Sequence, residues 1–267
     1  MLEVSIVIYK LDGEMLSSAL QSIVVSAKNL PSKLGIKKIT LIDNGNNKKE
    51  LLSIIEIYSA FSLNIQYYSA GKNLGYGQAH NIAIADSESN YHLILNPDVI
   101  LSPESLSVGL NYLQNNDEVL AVSPLAFDGK NNIHYLAKSY PSLFLLLIRA
   151  LNLRYLNKIF KKIIENYEVR EIVHNKKTAE VKIISGCFML CKTKALHMIG
   201  GFDSRFFLYF EDFSLSIELQ KIGKIMYLPD MVIIHFGGNS SRKGIKHICM
   251  FISSMMKFFG RYGWKIF

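Results

Sequence analysis

The chain has 267 residues, enough for one large domain or a domain with an appendage, and it is rather apolar, 49% hydrophobic with a mean hydropathy of +0.18. The 30 Lys and Arg against 22 Asp and Glu give a net charge of +8 and a pI of about 9.2, a balance that suits a nucleotide, a nucleic acid or an anionic membrane surface as partner, or serves solubility alone. Three cysteines, Cys187, Cys191 and Cys249, exclude a disulfide framework, and Cys187 and Cys191 lack the second Cys or His pair of a zinc site.

The opening MLEVSIVIYK has no basic region followed by a long apolar core. It reads as a strand over 4–9 in a chain with a reducing, cytoplasmic setting, and not as a signal peptide. EMLSSALQSIVVSA (14–27) has helical spacing through Leu16, Leu20, Ile23 and Val24. KKITLIDNG (37–45) is a second strand ending in Asp43-Asn44-Gly45, and KELLSIIEIYSAF (49–61) a second helix. NIQYYSA (64–70) is a third strand, and GKNLGYGQAHNIAIA (71–85) a Gly-rich loop running into a helix. In YHLILNPDVIL (91–101), Leu93, Ile94 and Leu95 form a short apolar run of the kind a parallel sheet buries. Pro97 cannot donate to a ladder, so the strand ends on Asn96-Pro97-Asp98, a sequence that also suits a simple turn. SPESLSVGLNYLQN (102–115) predicts a helix capped by Ser102 with Pro103 at its first position, and EVLAVSPLAF (118–127) another strand.

This alternation predicts an α/β fold with a mostly parallel central sheet flanked by helices. Tyr9, Asp43-Asn44-Gly45 and Asn96-Pro97-Asp98 then gather along one edge of the sheet, the edge where open α/β sheets bind ligands. The second half is less regular. Residues 141–165 are apolar with interleaved Arg149, Arg154, Lys158, Lys161 and Lys162, an amphipathic basic helix or helix pair. Within them SLFLLLI (142–148) is far too short to span a bilayer. Residues 179–196 return to strand character, GGFDSRFFLYFEDFSLSIELQKIG (200–223) is a loop and a helix closed by Gly223, and KIMYLPDMVIIHFGG (224–238) is a last strand and its exit. The tail, 246–267, is again basic and aromatic.

No Gly-Lys-Ser/Thr occurs, so a P-loop is excluded; GKNLGYG lacks the dinucleotide spacing and follows the third strand; His-Glu-x-x-His and Gly-x-Ser-x-Gly are absent. VSIVIY, IDNG, KNLGYGQAHNIAI, LILNPDV, SGCFML, GGFDSRFFLYFEDFSLSIEL and PDMVIIHFGG do occur, in that order. The set resembles the family 2 glycosyltransferases of GT-A fold over residues 3 to about 240, and most of all the rhamnosyltransferase group of bacterial polysaccharide assembly.

The resemblance implies an inverting transferase that uses a nucleotide-diphosphate sugar, with dTDP-L-rhamnose favoured, a lipid-linked saccharide acceptor, and Mn²⁺ or Mg²⁺. It implies a GT-A domain over 1–240, with a nucleotide-sugar half (1–125) and an acceptor half (126–240), followed by a C-terminal amphipathic extension (241–267). Asp98 fills the last position of the family's metal motif, here Asn-Pro-Asp, and His235 matches a histidine that completes the metal shell in some members. Asp43 matches a pyrimidine-reading carboxylate. Tyr9, Asn73, Gly75, Asn81 and Asn96 fall on the nucleotide-sugar side. Asp212 matches the general base, while Glu211, Phe207, Tyr209 and Gly186 fall on the acceptor side, with Phe206 and Phe210 among its aromatic wall. Without the resemblance, Asp43 is an Asp-Asn-Gly turn, Gly75 serves its loop, Glu211-Asp212 caps a helix and the aromatics are core. Two departures stand out: Tyr9-Lys10 where Tyr-Asn is common, and DNGNNK without the usual Ser.

The two basic, apolar stretches suit attachment to the inner face of the cytoplasmic membrane, or else a packing helix or oligomer face. A UDP-hexose donor and an inactive membrane-held sugar-binding scaffold are the rival readings; Asp98 and Asp212 together argue against the second. Nucleic acid is not expected as a partner, because the basic residues are interleaved with Leu, Ile and Phe and do not form a polar stripe.

Overall fold

A computed structural model describes residues 1–61, 63–151, 153–237 and 244–267. The side chain of Arg154, Gly238 of the HFGG motif and the expected boundary at 240 lie outside the described residues. In chain order the elements are β1 (Leu2–Ile8), α1 (Gly13–Ala27), β2 (Ile36–Asp43), α2 (Lys48–Ser59), β3 (Ile65–Ser69), α3 (Tyr76–Ala85), β4 (Tyr91–Leu95), β5 (Val99–Leu101), α4 (Ser105–Asn115) and β6 (Val119–Phe127). They continue with β7 (Ile133–His134), β8 (Ala137–Lys138), α5 (Leu143–Leu151), α6 (Arg154–Ile159), α7 (Lys161–Tyr167), α8 (Arg170–His174), β9 (Ala179–Glu180), β10 (Ile183–Ile184), β11 (Phe188–Lys192), α9 (Thr193–Ile199), α10 (Glu211–Gln220), β12 (Lys224–His235) and α11 (Ile245–Tyr262).

The central sheet has the order β3-β2-β1-β4-β11-β6-β12-β5, with helices against its faces. Its N-terminal half is parallel: β1 lies between β2 and β4, and β2 pairs with β3. All seven residues of β1 are buried, as expected of a central parallel strand covered on both faces. In α1, Leu16, Ala19, Leu20 and Ile23 are fully buried at helical spacing, and the Asp12 side chain caps the helix by accepting from Met15 N at 3.0 Å. β11 then enters antiparallel between β4 and β6, and β6 runs parallel to β12.

Three local expectations change. Ser102 does not cap α4, which begins at Ser105; its carbonyl accepts from Ser105 N at 3.1 Å, closing a turn that carries Pro103. Val99–Leu101, directly after Asn-Pro-Asp, is a strand paired with the end of β12. Residues 141–165 fold as three short helices, and 179–196 as three short strands and the start of α9. The tail packs home: Phe258 and Phe259 of α11 are fully buried in a cluster with Leu145, Phe206, Phe210 and Phe213.

Polar groups sit inside the parallel half. The Ser5 hydroxyl lies 2.7 Å from His80 Nδ1 and 2.9 Å from His92 Nε2. A hydroxyl has one proton to give, so the bridge is fully bonded when one imidazole donates and a neutral one accepts. Burial holds both imidazoles neutral, pushing His92 down to about 4 and His80 well below its ordinary range. The unfolded chain therefore takes up protons here below pH 6.5 that the fold does not. Stability should be intact above that value and fall towards pH 4, by about 3 kcal/mol from His92 alone, as urea midpoints measured across that range will show.

Candidate active site

β4 stops at Leu95, and Asn96-Pro97-Asp98 turns the chain into β5, where Val99 pairs with His235 at the end of β12. This brings together two residues far apart in sequence. His235 Nε2 lies 3.4 Å from Asp98 Oδ1, and the Asp98 carbonyl accepts from Phe236 N at 3.0 Å. The far face of the His235 ring stacks on His134, centroids 5.0 Å apart. Burial would raise the Asp98 carboxyl, yet His235 and Asn96 hold it below its usual value. Burial would lower the His235 imidazole, yet Cys187 and Asp98 push it up to about 10. Asp98 Oδ1 is buried without a hydrogen-bond partner among the described residues. A Cβ on Gly237 would fall 2.5 Å from Asp98 Oδ2 and 2.6 Å from His235 Nε2. The pair thus faces a space that a side chain would close, and the Asp98 carboxylate, with the His235 imidazole once its proton is displaced, fits a divalent cation. Among the described residues no three His, Cys, Asp or Glu side chains converge to hold a metal unaided. That matches a site in which phosphate oxygens complete the shell of Mg²⁺ or Mn²⁺.

The loop before α3 and the turn after β2 form one clasp. Asn44, 3% exposed, donates to Asn73 Oδ1 at 2.9 Å and to the Gly75 carbonyl at 3.1 Å, and accepts from Leu74 N at 2.8 Å. Gly75 has φ +84°, and a Cβ there would lie 2.2 Å from the Phe207 carbonyl, so glycine is required. Asp43 is equally committed: its carboxylate accepts from Gly45 N, from Asn47 N and Nδ2, and from the Tyr67 hydroxyl at 2.9–3.1 Å. The Tyr9 side chain is more than half exposed beside this turn. Asn81, expected on the nucleotide side, spends its side chain on the GGFDSRFF loop. Its amide donates to the Phe202 carbonyl and accepts from Phe202 N, both at 2.8 Å, fixing the GGFDSRFF loop to α3.

That loop delivers α10. Tyr209 and Phe210 both adopt left-handed backbone, φ +69° and +63°, a strained pair for aromatic residues immediately before Glu211-Asp212. Phe206 and Phe210 are core; the Tyr209 hydroxyl meets His247 Nδ1 at 2.9 Å on α11; Phe207 is the most open of the four, 40% exposed. Asp212 Oδ2 accepts from Gly186 N at 3.0 Å and Oδ1 from Phe213 N at 2.9 Å. The Gly186 carbonyl accepts from the Tyr76 hydroxyl at 2.6 Å. Burial and the Asp212 charge push the Glu211 carboxyl well above the usual range. Burial also raises Asp212, but Gly186 N, Lys138 and Phe213 N oppose it. Of the two carboxyls, Glu211 is therefore the one held further towards its protonated form.

Asn44, Tyr76 and Lys138 were not singled out as site residues by the sequence reading. Asn44 and Tyr76 stand inside quoted motifs; Lys138, in the two-residue strand β8, gave no signal. Asn44→Ala removes three hydrogen bonds, one of them to the buried Gly75 carbonyl, and should cost about 2 kcal/mol in chemical denaturation, with no change at the Asp98–His235 pair.

A family model described as "Glycosyl transferase family 2" matches residues 6–199. An N-acetylglucosaminyl-diphospho-decaprenol L-rhamnosyltransferase of Mycobacterium tuberculosis is 26% identical over 215 residues, 76% of this chain and 67% of that one. Rhamnosyltransferase WbbL of Escherichia coli K12 is 26% identical over 184 residues, 66% of each. Among solved structures, GalNAc-T7 with UDP, GalNAc and Mn²⁺ superposes with a TM-score of 0.64 at 15% identity, covering 88% of this chain and 44% of that one. A mannosyltransferase of Pyrobaculum calidifontis with GDP-Man and Mn²⁺ gives 0.60 at 15% identity, covering 91% and 58%. This chain thus spans about two thirds or less of these proteins, and the solved ones share its GT-A fold.

Proposed function

The chain belongs to glycosyltransferase family 2, and on that premise we propose that it moves L-rhamnose from dTDP-L-rhamnose to a hydroxyl of a lipid-linked saccharide, inverting the anomeric centre. The choice of rhamnose is supported by the two curated relatives, both rhamnosyltransferases. The chemistry is supported by one observation above the rest: the half-buried Asp212 carboxylate accepts from two backbone N–H groups, one of them from Gly186, next to the Cys187 whose carbonyl holds Asn96 at the root of the Asp98 turn.

In this mechanism Asp212 takes the proton of the acceptor hydroxyl, and the freed oxygen attacks the anomeric carbon from the face opposite the diphosphate. The bond from that carbon to the diphosphate breaks as the new one forms, and the nucleoside diphosphate leaves. Asp98 and His235 are the residues that would hold Mn²⁺ or Mg²⁺, which when bound neutralises charge on the departing diphosphate. Asn96, Asn73, Gly75 and Tyr9 lie on the donor side. Asp43 reads the pyrimidine only if the base replaces one of its four present donors. Phe207 and Gly186 border the acceptor.

Donor hydrolysis and nucleotide binding with Mn²⁺, with Mg²⁺ and with EDTA, across dTDP-rhamnose and UDP-sugars, test the reading. Metal-dependent preference for dTDP-rhamnose is expected, and preference for a UDP-hexose would discard rhamnose. Asp98→Ala and Gly237→Ala should both weaken metal-dependent nucleotide binding. Asp212→Asn should lower transfer by at least about a hundredfold, whereas Glu211→Gln, which imitates a neutral side chain, should retain most activity. The acid limb of wild-type transfer should sit above the range of an ordinary aspartate, since burial raises Asp212.

We further propose peripheral attachment to the cytoplasmic leaflet. Among the described residues no helix is long and apolar enough to cross a membrane. Ile245, Ile248, Ile252 and Met256 form an exposed stripe along α11, next to Trp264, Ile266 and Phe267 in the tail. Leu143 N and Phe144 N donate to the carbonyls of Lys265 and Ile266, which joins the tail to α5 and its exposed Leu147 and Leu151. Lys158, Lys162, Lys246 and Lys265 accompany these surfaces, as an anionic leaflet requires. Ile248→Glu with Ile252→Glu should abolish co-sedimentation with phosphatidylglycerol vesicles and leave the circular dichroism spectrum unchanged.

A further inference from the structure

The segment that follows β8 encloses a cavity of about 380 Å³, lined by Arg149, Asn157, Lys161, Ile164, Glu168 and Arg170. Three of these side chains are cationic and one is anionic. Glu168, 8% exposed, is held from both sides: Arg149 Nη1 donates to its Oε1, and Arg170 Nε and Nη2 donate to its Oε2 at 2.8 and 2.6 Å. One carboxylate thus fixes two guanidiniums on the cavity wall and offsets only one of their charges. Lys161 adds a third cation, restrained among the described residues by Glu165 at 3.6 Å on its own helix. Rigid guanidiniums and a mobile ammonium around a space of this size suit phosphate oxygens.

The place of the cavity says which phosphate. On one side are exposed apolar residues of the same helices: Leu147, Leu151, Tyr155 and Ile159, each about half exposed or more. On the other side is the base. The Arg149 guanidinium lies over the Tyr167 ring, 5.5 Å from its centroid, and the Tyr167 carbonyl accepts from Ser139 N at 2.8 Å. The neighbouring Lys138 reaches over Phe213, which follows Asp212, at 5.5 Å. Lys138 is the common point: burial and Arg149 lower its ammonium, while Asp212 and Glu168 raise it. The basic cavity therefore stands between an apolar surface and the carboxylate that would deprotonate the acceptor.

Resting on the glycosyltransferase reading, we propose that this cavity is the subsite for the diphosphate of a polyprenyl-diphosphate-linked acceptor, with the prenyl chain lying over the exposed apolar residues of α5 and α6. The terminal sugar then extends past Lys138 towards Asp212. The subsite selects the acceptor by its diphosphate, apart from the donor diphosphate at Asp98 and His235.

Calorimetry on the full chain with farnesyl diphosphate, farnesyl monophosphate, inorganic pyrophosphate and phosphatidylglycerol vesicles tests this. Farnesyl diphosphate should bind more tightly than the monophosphate and than pyrophosphate, and about tenfold less tightly in Lys161→Ala and in Arg149→Gln, with the affinity for dTDP and Mn²⁺ kept within about twofold. Lys161 is largely exposed, so its variant keeps the test valid if Arg149→Gln fails to fold. Unchanged farnesyl diphosphate binding in Lys161→Ala would overturn the proposal. So would a loss confined to the vesicles, which would make the cluster a headgroup contact, or equal binding of pyrophosphate and farnesyl diphosphate, which would make it a free-phosphate site. Failure of wild-type dTDP binding would count against the underlying function instead.

Discussion

Gly186 joins α3, α10 and the start of β11, and the arrangement of the site depends on its two backbone hydrogen bonds in a place with little room for a side chain. Its N–H donates to Asp212, its carbonyl accepts from Tyr76, and a Cβ would lie 3.1 Å from the Tyr76 ring and 3.3 Å from Asp212 Cβ. The next residue, Cys187, holds Asn96 N through its carbonyl at 2.9 Å. Three elements that sequence separates widely, the start of α3, the turn after β4 and the start of α10, are therefore set by two consecutive peptides ahead of β11. The antiparallel insertion of β11 between β4 and β6 is what puts those peptides at the edge where the parallel strands end. A shift there would move Asp212 and the Asp98 turn together.

A buried acidic pair at a helix start needs both restraint and charge control. Restraint comes from the consecutive left-handed residues Tyr209 and Phe210, a conformation worth roughly 1–3 kcal/mol of strain each. It persists because Phe210 packs against Phe213, Phe251 and Phe258, and because Tyr209 bonds His247. Charge control comes from unequal surroundings. Asp212 receives two backbone N–H groups and the field of Lys138, whereas Glu211 Oε2 has no hydrogen-bond partner among the described residues. Two adjacent carboxyls so placed differ in proton affinity, and Asp212, whose affinity is raised less, is the first of the two to take the negative charge as pH rises.

The parallel half was legible in the sequence because its signals are long: strands of five to eight residues, helices of ten or more, and short polar turns between them. The rest hid in elements too short to carry a period. β7, β8, β9 and β10 have two residues each, and β5 three, yet β5 is the strand that brings Asp98 to His235. Motif order pointed to which residues matter but not to what their side chains touch. Asn81 stands on the expected helix and faces Phe202; Asp43 stands at the expected strand end with its acceptor capacity already taken. A helical position fixes a face only relative to its neighbours, and the loop that Asn81 holds lies more than a hundred residues further along the chain.

The C-terminal helix carries the last part of the argument. Most surface helices have one apolar face, but α11 has two. Phe258 and Phe259 face inward, with Phe251, Met255 and Tyr262 packed against the same cluster, and Ile245, Ile248, Ile252 and Met256 face outward. The inward face supports Phe210, and through it the backbone that aims Asp212. Among the described residues nothing of this chain covers the outward face. A helix that braces the turn before Glu211-Asp212 with one side and offers aliphatic side chains with the other couples the position of that carboxyl pair to whatever covers the outer side.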